Sequence, residues 1–66
     1  MTSEEAKVGM RVRVRGDHRY PHVRGKEGTV THKWGDPHYV ALDVVLDDGG
    51  QKLFWHHELE GIPETT

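Results

Sequence analysis

Met10-Arg11-Val12-Arg13-Val14-Arg15, followed ten residues on by Gly25-Lys26-Glu27-Gly28-Thr29-Val30, decides the architecture of this 66-residue chain. The first run alternates apolar and cationic residues with period two, the pattern of a strand with one buried and one wet face. The second opens on two glycines suited to a tight turn and re-enters β-type sequence at Thr29, Val30 and Thr31. Together they predict a small, strongly curved antiparallel β-barrel with Arg11, Arg13 and Arg15 in a row on its outer face.

Working outward, residues 1–7 read as a flexible polar arm or one helical turn, residues 8–62 as the barrel, and residues 63–66 as a flexible tail. The first strand spans Met10 to Arg15. Gly16 to Arg24 is a polar loop, too long for a tight hairpin turn. A second strand runs from about Glu27 to Lys33, and Trp34-Gly35-Asp36-Pro37 is a turn by its Gly and Pro content. His38 to Leu46 is the longest β run, with Val40, Leu42, Val44 and Leu46 on one face and Tyr39, Ala41, Asp43 and Val45 on the other. Asp47-Asp48-Gly49-Gly50 is a hairpin turn. Gln51 to Trp55 returns as the fourth strand, His56 to Leu59 forms one 3₁₀ turn, and Glu60 to Ile62 closes the sheet. The predicted core is Met10, Val12, Val14, Val30, Val40, Leu42, Val44, Leu46 and Leu59. Either Phe54 or Trp55 also fills it, because a regular strand sends them to opposite faces.

Five antiparallel strands with a 3₁₀ turn before the last are the pattern of SH3-like barrels, and three resemblances fit it. Gly9-x-x-Val12-x-Val14 with Gly25-Lys26-x-Gly28-x-Val30 resembles the KOW motif of ribosomal and transcription-elongation proteins, which implies nucleic-acid binding. Tyr20 to Val30 is similar to the SH3-like domain of nitrile hydratase β subunits, which implies an accessory subunit packed on a larger enzyme. The order of Gly-x-Arg-x-x-Val, Gly-x-Val, Pro-x-Tyr, Asp-Asp-Gly and Leu-Phe motifs over residues 8–59 resembles small actinobacterial SH3-like proteins, and so implies a bacterial source. One fold hosts many functions, so each resemblance speaks to architecture before activity.

Composition narrows the classes. One small domain without cysteine has no disulfide framework, which fits the cytoplasm. No apolar run reaches the roughly 18–20 residues of a membrane span, and the N-terminus lacks the parts of a signal peptide. The formal net charge is −2, yet residues 1–33 hold eight of the nine Lys and Arg against four acids, while residues 34–66 hold Lys52 against seven acids. Local balances of +4 and −6 suit oriented docking, weak self-association or anion binding.

The candidate binding residues are Arg11, Arg13, Arg15, Lys26, Trp34 and Tyr39. Guanidinium groups at alternate strand positions stand about 6–7 Å apart, near the phosphate repeat of an extended nucleic-acid strand. The same alternation is the ordinary way to keep a sheet face solvated, which is the plainer reading. An acidic protein partner is a third. The loop aromatics beside prolines, in Tyr20-Pro21 and Trp34-Gly35-Asp36-Pro37, suit a peptide groove or a stacked base, and a nucleic-acid binder would use Trp34 or Tyr39 for stacking.

The six histidines, His18, His22, His32, His38, His56 and His57, show no recognised zinc spacing, so they read as surface or hydrogen-bonded groups, and no metal or cofactor is expected. Catalysis has little support, with Ser3 the only serine and no Cys nucleophile. The sequence therefore points to a non-enzymatic interaction module that docks on a protein partner, with a KOW-like nucleic-acid binder and a nitrile hydratase-type accessory protein as alternatives.

Overall fold

A computed structural model describes residues 2–36 and 38–63. Strands β1 (Arg11–Val14), β2 (Glu27–Asp36), β3 (Tyr39–Leu46), β4 (Gln51–Trp55) and β5 (Leu59–Gly61) form one antiparallel sheet in the order β4-β3-β2-β1-β5. Single 3₁₀ turns at Pro21–Val23 and His56–Glu58 interrupt the connections. β4 and β5 are the two edges of the sheet, and among the described residues no ladder joins them. Among the described residues no helix is long and apolar enough to cross a membrane.

The alternation in β1 behaves as its sequence requires. Val12 and Val14 are buried while Arg13 is exposed, and Arg11 is partly covered. In β3 the inward set is Val40, Leu42, Val44 and Leu46. These residues join Val30 and Leu59 in one core that also takes in Ala6, Val23 and Phe54. Met10, expected in the core, is only partly buried and packs against the cluster from outside, because β1 starts one residue later at Arg11. The Phe54/Trp55 alternative resolves by register: Phe54 pairs with inward-facing Leu42 and is buried, while Trp55 pairs with Ala41 and is exposed. Burying such a phenylalanine contributes about 1.5–3 kcal/mol.

Residues 3–5 form a turn, with Glu5 N–H donating to the Thr2 carbonyl at 3.2 Å, and Ala6 beside it is buried. Two segments differ from the sequence reading. The Gly16–Arg24 loop is not merely polar surface, since it inserts Val23 and the ring of His18 into the interior. Trp34, Gly35 and Asp36 are not a turn but the end of β2, paired with Ala41, Val40 and Tyr39. Pro37, part of that expected turn, and residues 64–66 of the expected tail lie outside the described residues, as does Met1.

The longer β2 carries the feature that positions the site. Val30 faces Val44 in the core, but the next paired residue is His32, opposite outward-facing Asp43. Thr31 is thus the extra residue of a β-bulge, and its hydroxyl donates to the Asp43 carbonyl at 3.3 Å. Such an insertion shifts the alternation by one residue. Beyond it, His32 and Trp34 share the outer face with Ala41 and Asp43. Glycine meets the close packing here: Gly28 lies between Val12 and Leu46, and a Cβ on it would stand 2.5 Å from the Val45 carbonyl oxygen.

Candidate functional site

The arginine row faces outward, and its charges are already engaged. Arg11 makes a two-pronged contact with Asp47, Nη1 to Oδ1 at 2.7 Å and Nη2 to Oδ2 at 2.5 Å, and also donates to the Thr29 hydroxyl at 3.1 Å. Arg13 reaches Glu27 at 3.4 Å, Arg15 reaches Asp17 at 3.2 Å, and Lys26 pairs with Asp48. Hydrogen bonds from Arg11 and Lys26 hold the Asp47 and Asp48 carboxyls below the usual carboxylate range, and the Arg15 contact does the same for Asp17. Exposed pairs of this kind add little stability. Their consequence is that a phosphate approaching Arg11, Arg13, Arg15 or Lys26 must displace a carboxylate from each.

Aromatic residues occupy the other end of the same outer surface. The register places Trp34 of β2 and Trp55 of β4 on either side of Ala41 of β3. With strands about 4.8 Å apart, the two tryptophan backbones stand about 10 Å apart. Ala41 points outward yet is buried, forming a floor between them. Tyr39, two residues earlier on β3, lies with its ring centroid 4.6 Å from that of Trp55, and its hydroxyl is 2.7 Å from His57 Nε2. Trp34 is oriented from two sides. Its indole N–H donates to Asp43 Oδ2 at 2.9 Å, and the His32 ring stacks on it at 5.7 Å and 20°. Leu53 and Val45 continue the apolar surface on the neighbouring rows.

Trp34, Tyr39, Val45, Leu53 and Trp55 thus form an exposed apolar face on three adjacent strands, with Trp34 and Leu53 each 54% exposed. Rings held by hydrogen bonds and stacking lose little further freedom when a partner covers them. The structure therefore brings together Trp34 and Tyr39 of the sequence-predicted set and separates them from Arg11, Arg13, Arg15 and Lys26, which belong to the ion-paired end. Trp55, Leu53, His32 and Asp43 complete the face and were missed. The signal for them was the Ala41 pairing, which becomes visible only once β2 extends past Lys33.

A second concavity, about 470 Å³, is lined by Arg15, Asp17, His18, Arg19, His57 and Glu58. Its one buried titratable side chain, His18, meets a different neighbour at each ring nitrogen. His18 Nδ1 accepts the Tyr20 N–H at 3.0 Å, which assigns the ring proton to Nε2, and Nε2 faces Glu58 Oε2 at 2.8 Å. No lone pair is left for a metal or for proton abstraction. Among the described residues no three His, Cys, Asp or Glu side chains converge as a metal ion requires.

Comparison of the chain with protein-family profiles, with curated proteins and with solved structures finds no match.

Proposed function

We propose that the protein is a non-catalytic interaction module with an SH3-like barrel fold, docking on a protein partner through the outer face of β2, β3 and β4. The strand order β4-β3-β2-β1-β5 and the 3₁₀ turn joining β4 to β5 support the fold reading. The observation that carries the functional reading is the pair of exposed tryptophans flanking Ala41, each oriented by neighbours rather than by the core. Aromatic anchors around a small apolar floor are the usual energetic centre of a protein interface. Nucleic-acid binding has less support, since each cation proposed for it already holds a carboxylate.

The test is affinity capture from lysate of the source cell, with and without nuclease, comparing wild type with Trp34→Ala and Arg13→Ala. A specific protein should be retained after nuclease and at high salt, lost with Trp34→Ala and kept with Arg13→Ala. Capture that disappears with nuclease or falls steeply with salt would instead favour the nucleic-acid alternative.

A further inference from the structure

The outer edge of β4 runs beside this face, and its hydrogen-bonding groups are disposed in an uneven way. Leu46 N–H donates to the Gly50 carbonyl across the hairpin, which makes Val45–Gln51, Asp43–Leu53 and Ala41–Trp55 the pairs whose main-chain groups point away from each other. The Trp55 N–H confirms the parity, because it donates outward, to Glu58 Oε1 at 2.8 Å. That carboxylate closes one end of the edge. Gln51 and Leu53 keep outward N–H and C=O groups with no hydrogen-bond partner among the described residues. An open edge strand with exposed apolar side chains is a template for another strand.

Side chains around the edge state what that strand must carry. On the outer face, Leu53 and Trp55 call for apolar residues. On the opposite side, Lys52 leaves the sheet beside Val44 and brings its ammonium to 5.0 Å from the Tyr20 ring centroid. The Arg19 guanidinium lies 4.9 Å from the same centroid. No described carboxylate pairs with either cation, in contrast to Arg11, Arg13, Arg15 and Lys26. Two cations gathered at one ring, neither ion-paired with a described carboxylate, form the positive corner of this edge.

We infer that the β4 edge binds an extended acidic segment of the partner protein by strand addition. Main-chain groups of that segment pair with Gln51 and Leu53, its outward apolar residues lie beside Leu53 and Trp55, and its carboxylates reach Lys52 and Arg19. This deepens the protein-docking reading above and rests on it. A second copy of the chain fits less well, since antiparallel pairing of β4 with itself about Leu53 brings two Lys52 side chains to one side of the new sheet and supplies no acid.

The test uses three capped peptides as probes, Val-Glu-Val-Glu-Val, Val-Ser-Val-Ser-Val and Val-Lys-Val-Lys-Val, with amide shifts and hydrogen exchange read residue by residue. The acidic peptide should slow exchange at the Gln51 and Leu53 amides at concentrations up to about 1 mM, the serine peptide should do so more weakly, and the lysine peptide should not. Leu53→Pro removes an N–H that β3 does not use, so the sheet should persist while binding falls about tenfold or more. Lys52→Glu should reverse the preference to the lysine peptide, which keeps the inference testable even if the proline variant does not fold. No protection by the acidic peptide, or equal protection by all three, overturns it. Protection of Leu53 that rises with protein concentration alone would assign the edge to a second copy and overturn it too. Lysate capture that depends on Trp34 but not on Lys52 or Leu53 would leave the docking face standing and remove the strand-addition site; capture indifferent to Trp34 would remove the face itself.

Discussion

His18 and Glu58 meet between the Gly16–Arg24 loop and the last 3₁₀ turn, Nε2 to Oε2 at 2.8 Å, with the two side chains 1% and 13% exposed. The carboxylate lies off the N–H axis, so the contact is electrostatic rather than an in-line hydrogen bond. Its other oxygen accepts the Trp55 N–H, so one side chain ties a loop, a strand end and a 3₁₀ turn together. Glu58→Ala should therefore destabilise the fold by about 1–3 kcal/mol, as expected when buried polar groups lose their partners. Glu60→Ala, at an exposed position on β5, should change urea stability little.

Gly28→Ala should be as damaging although the change is one methyl group. The added Cβ would meet the Val45 carbonyl oxygen at 2.5 Å and Val44 Cγ1 at 2.7 Å, and neither belongs to a flexible side-chain end. Overpacking of this kind costs about 1–3 kcal/mol. Gly16→Ala, with nothing within 4 Å of the new methyl, serves as the control in the same thermal melts.

Val44→Ala should cost about 2 kcal/mol, since Val44 is fully buried between β2 and β4. In a domain this small that lowers the melting midpoint by roughly 8–16 °C. Calorimetry of the variant measures it directly.

Acid should destabilise the protein in a window set by the aspartates. Asp47, Asp48 and Asp17 have folded-state pKa values depressed by Arg11, Lys26 and Arg15. Such groups stabilise the fold fully above the unfolded carboxylate value of about 3.9, and that contribution is lost as pH falls through their lower folded values. Denaturation midpoints should thus stay level with respect to these groups through mildly acidic pH and fall below about pH 4. Asp47→Asn should flatten part of that fall, as should added salt. A fall of unchanged depth in Asp47→Asn would mean that the Arg11 pair contributes nothing.

Much of the fold was legible because local pattern and global packing agree in β1 and β3. A one-residue slip in either would exchange Val12 and Val14, or Leu42 and Val44, for arginine or aspartate in the interior. The Asp48-Gly49 hairpin was legible for a similarly local reason, since Gly49 takes a φ of +96° that glycine tolerates best. What escaped depended on long-range partners. His18 is polar by composition, and only Tyr20, Phe54 and Glu58 around it make its burial acceptable. Trp34 read as part of a turn because Gly35 and Pro37 follow it, whereas its partner across the sheet is Ala41. The arginine row was seen correctly as an outward row, but the carboxylates that occupy it lie up to 36 residues away in sequence.

Thr31 ties the aromatic face to a choice of register and not to its composition alone. Ordinarily a binding surface is lost by replacing the residues that compose it. Here the same residues would lose it if Thr31 were drawn into the ladder opposite Asp43, since His32 would then meet Leu42 and Trp34 would meet Val40, on the interior side. Every residue of the surface would still be encoded, yet Trp34 and Trp55 would no longer share a side. Deleting the single codon for Thr31 has the opposite outcome: His32 then follows Val30 directly and still pairs with Asp43, so Trp34 stays beside Ala41. Among related chains, a β2 shorter by one residue at this point would keep the surface without the bulge.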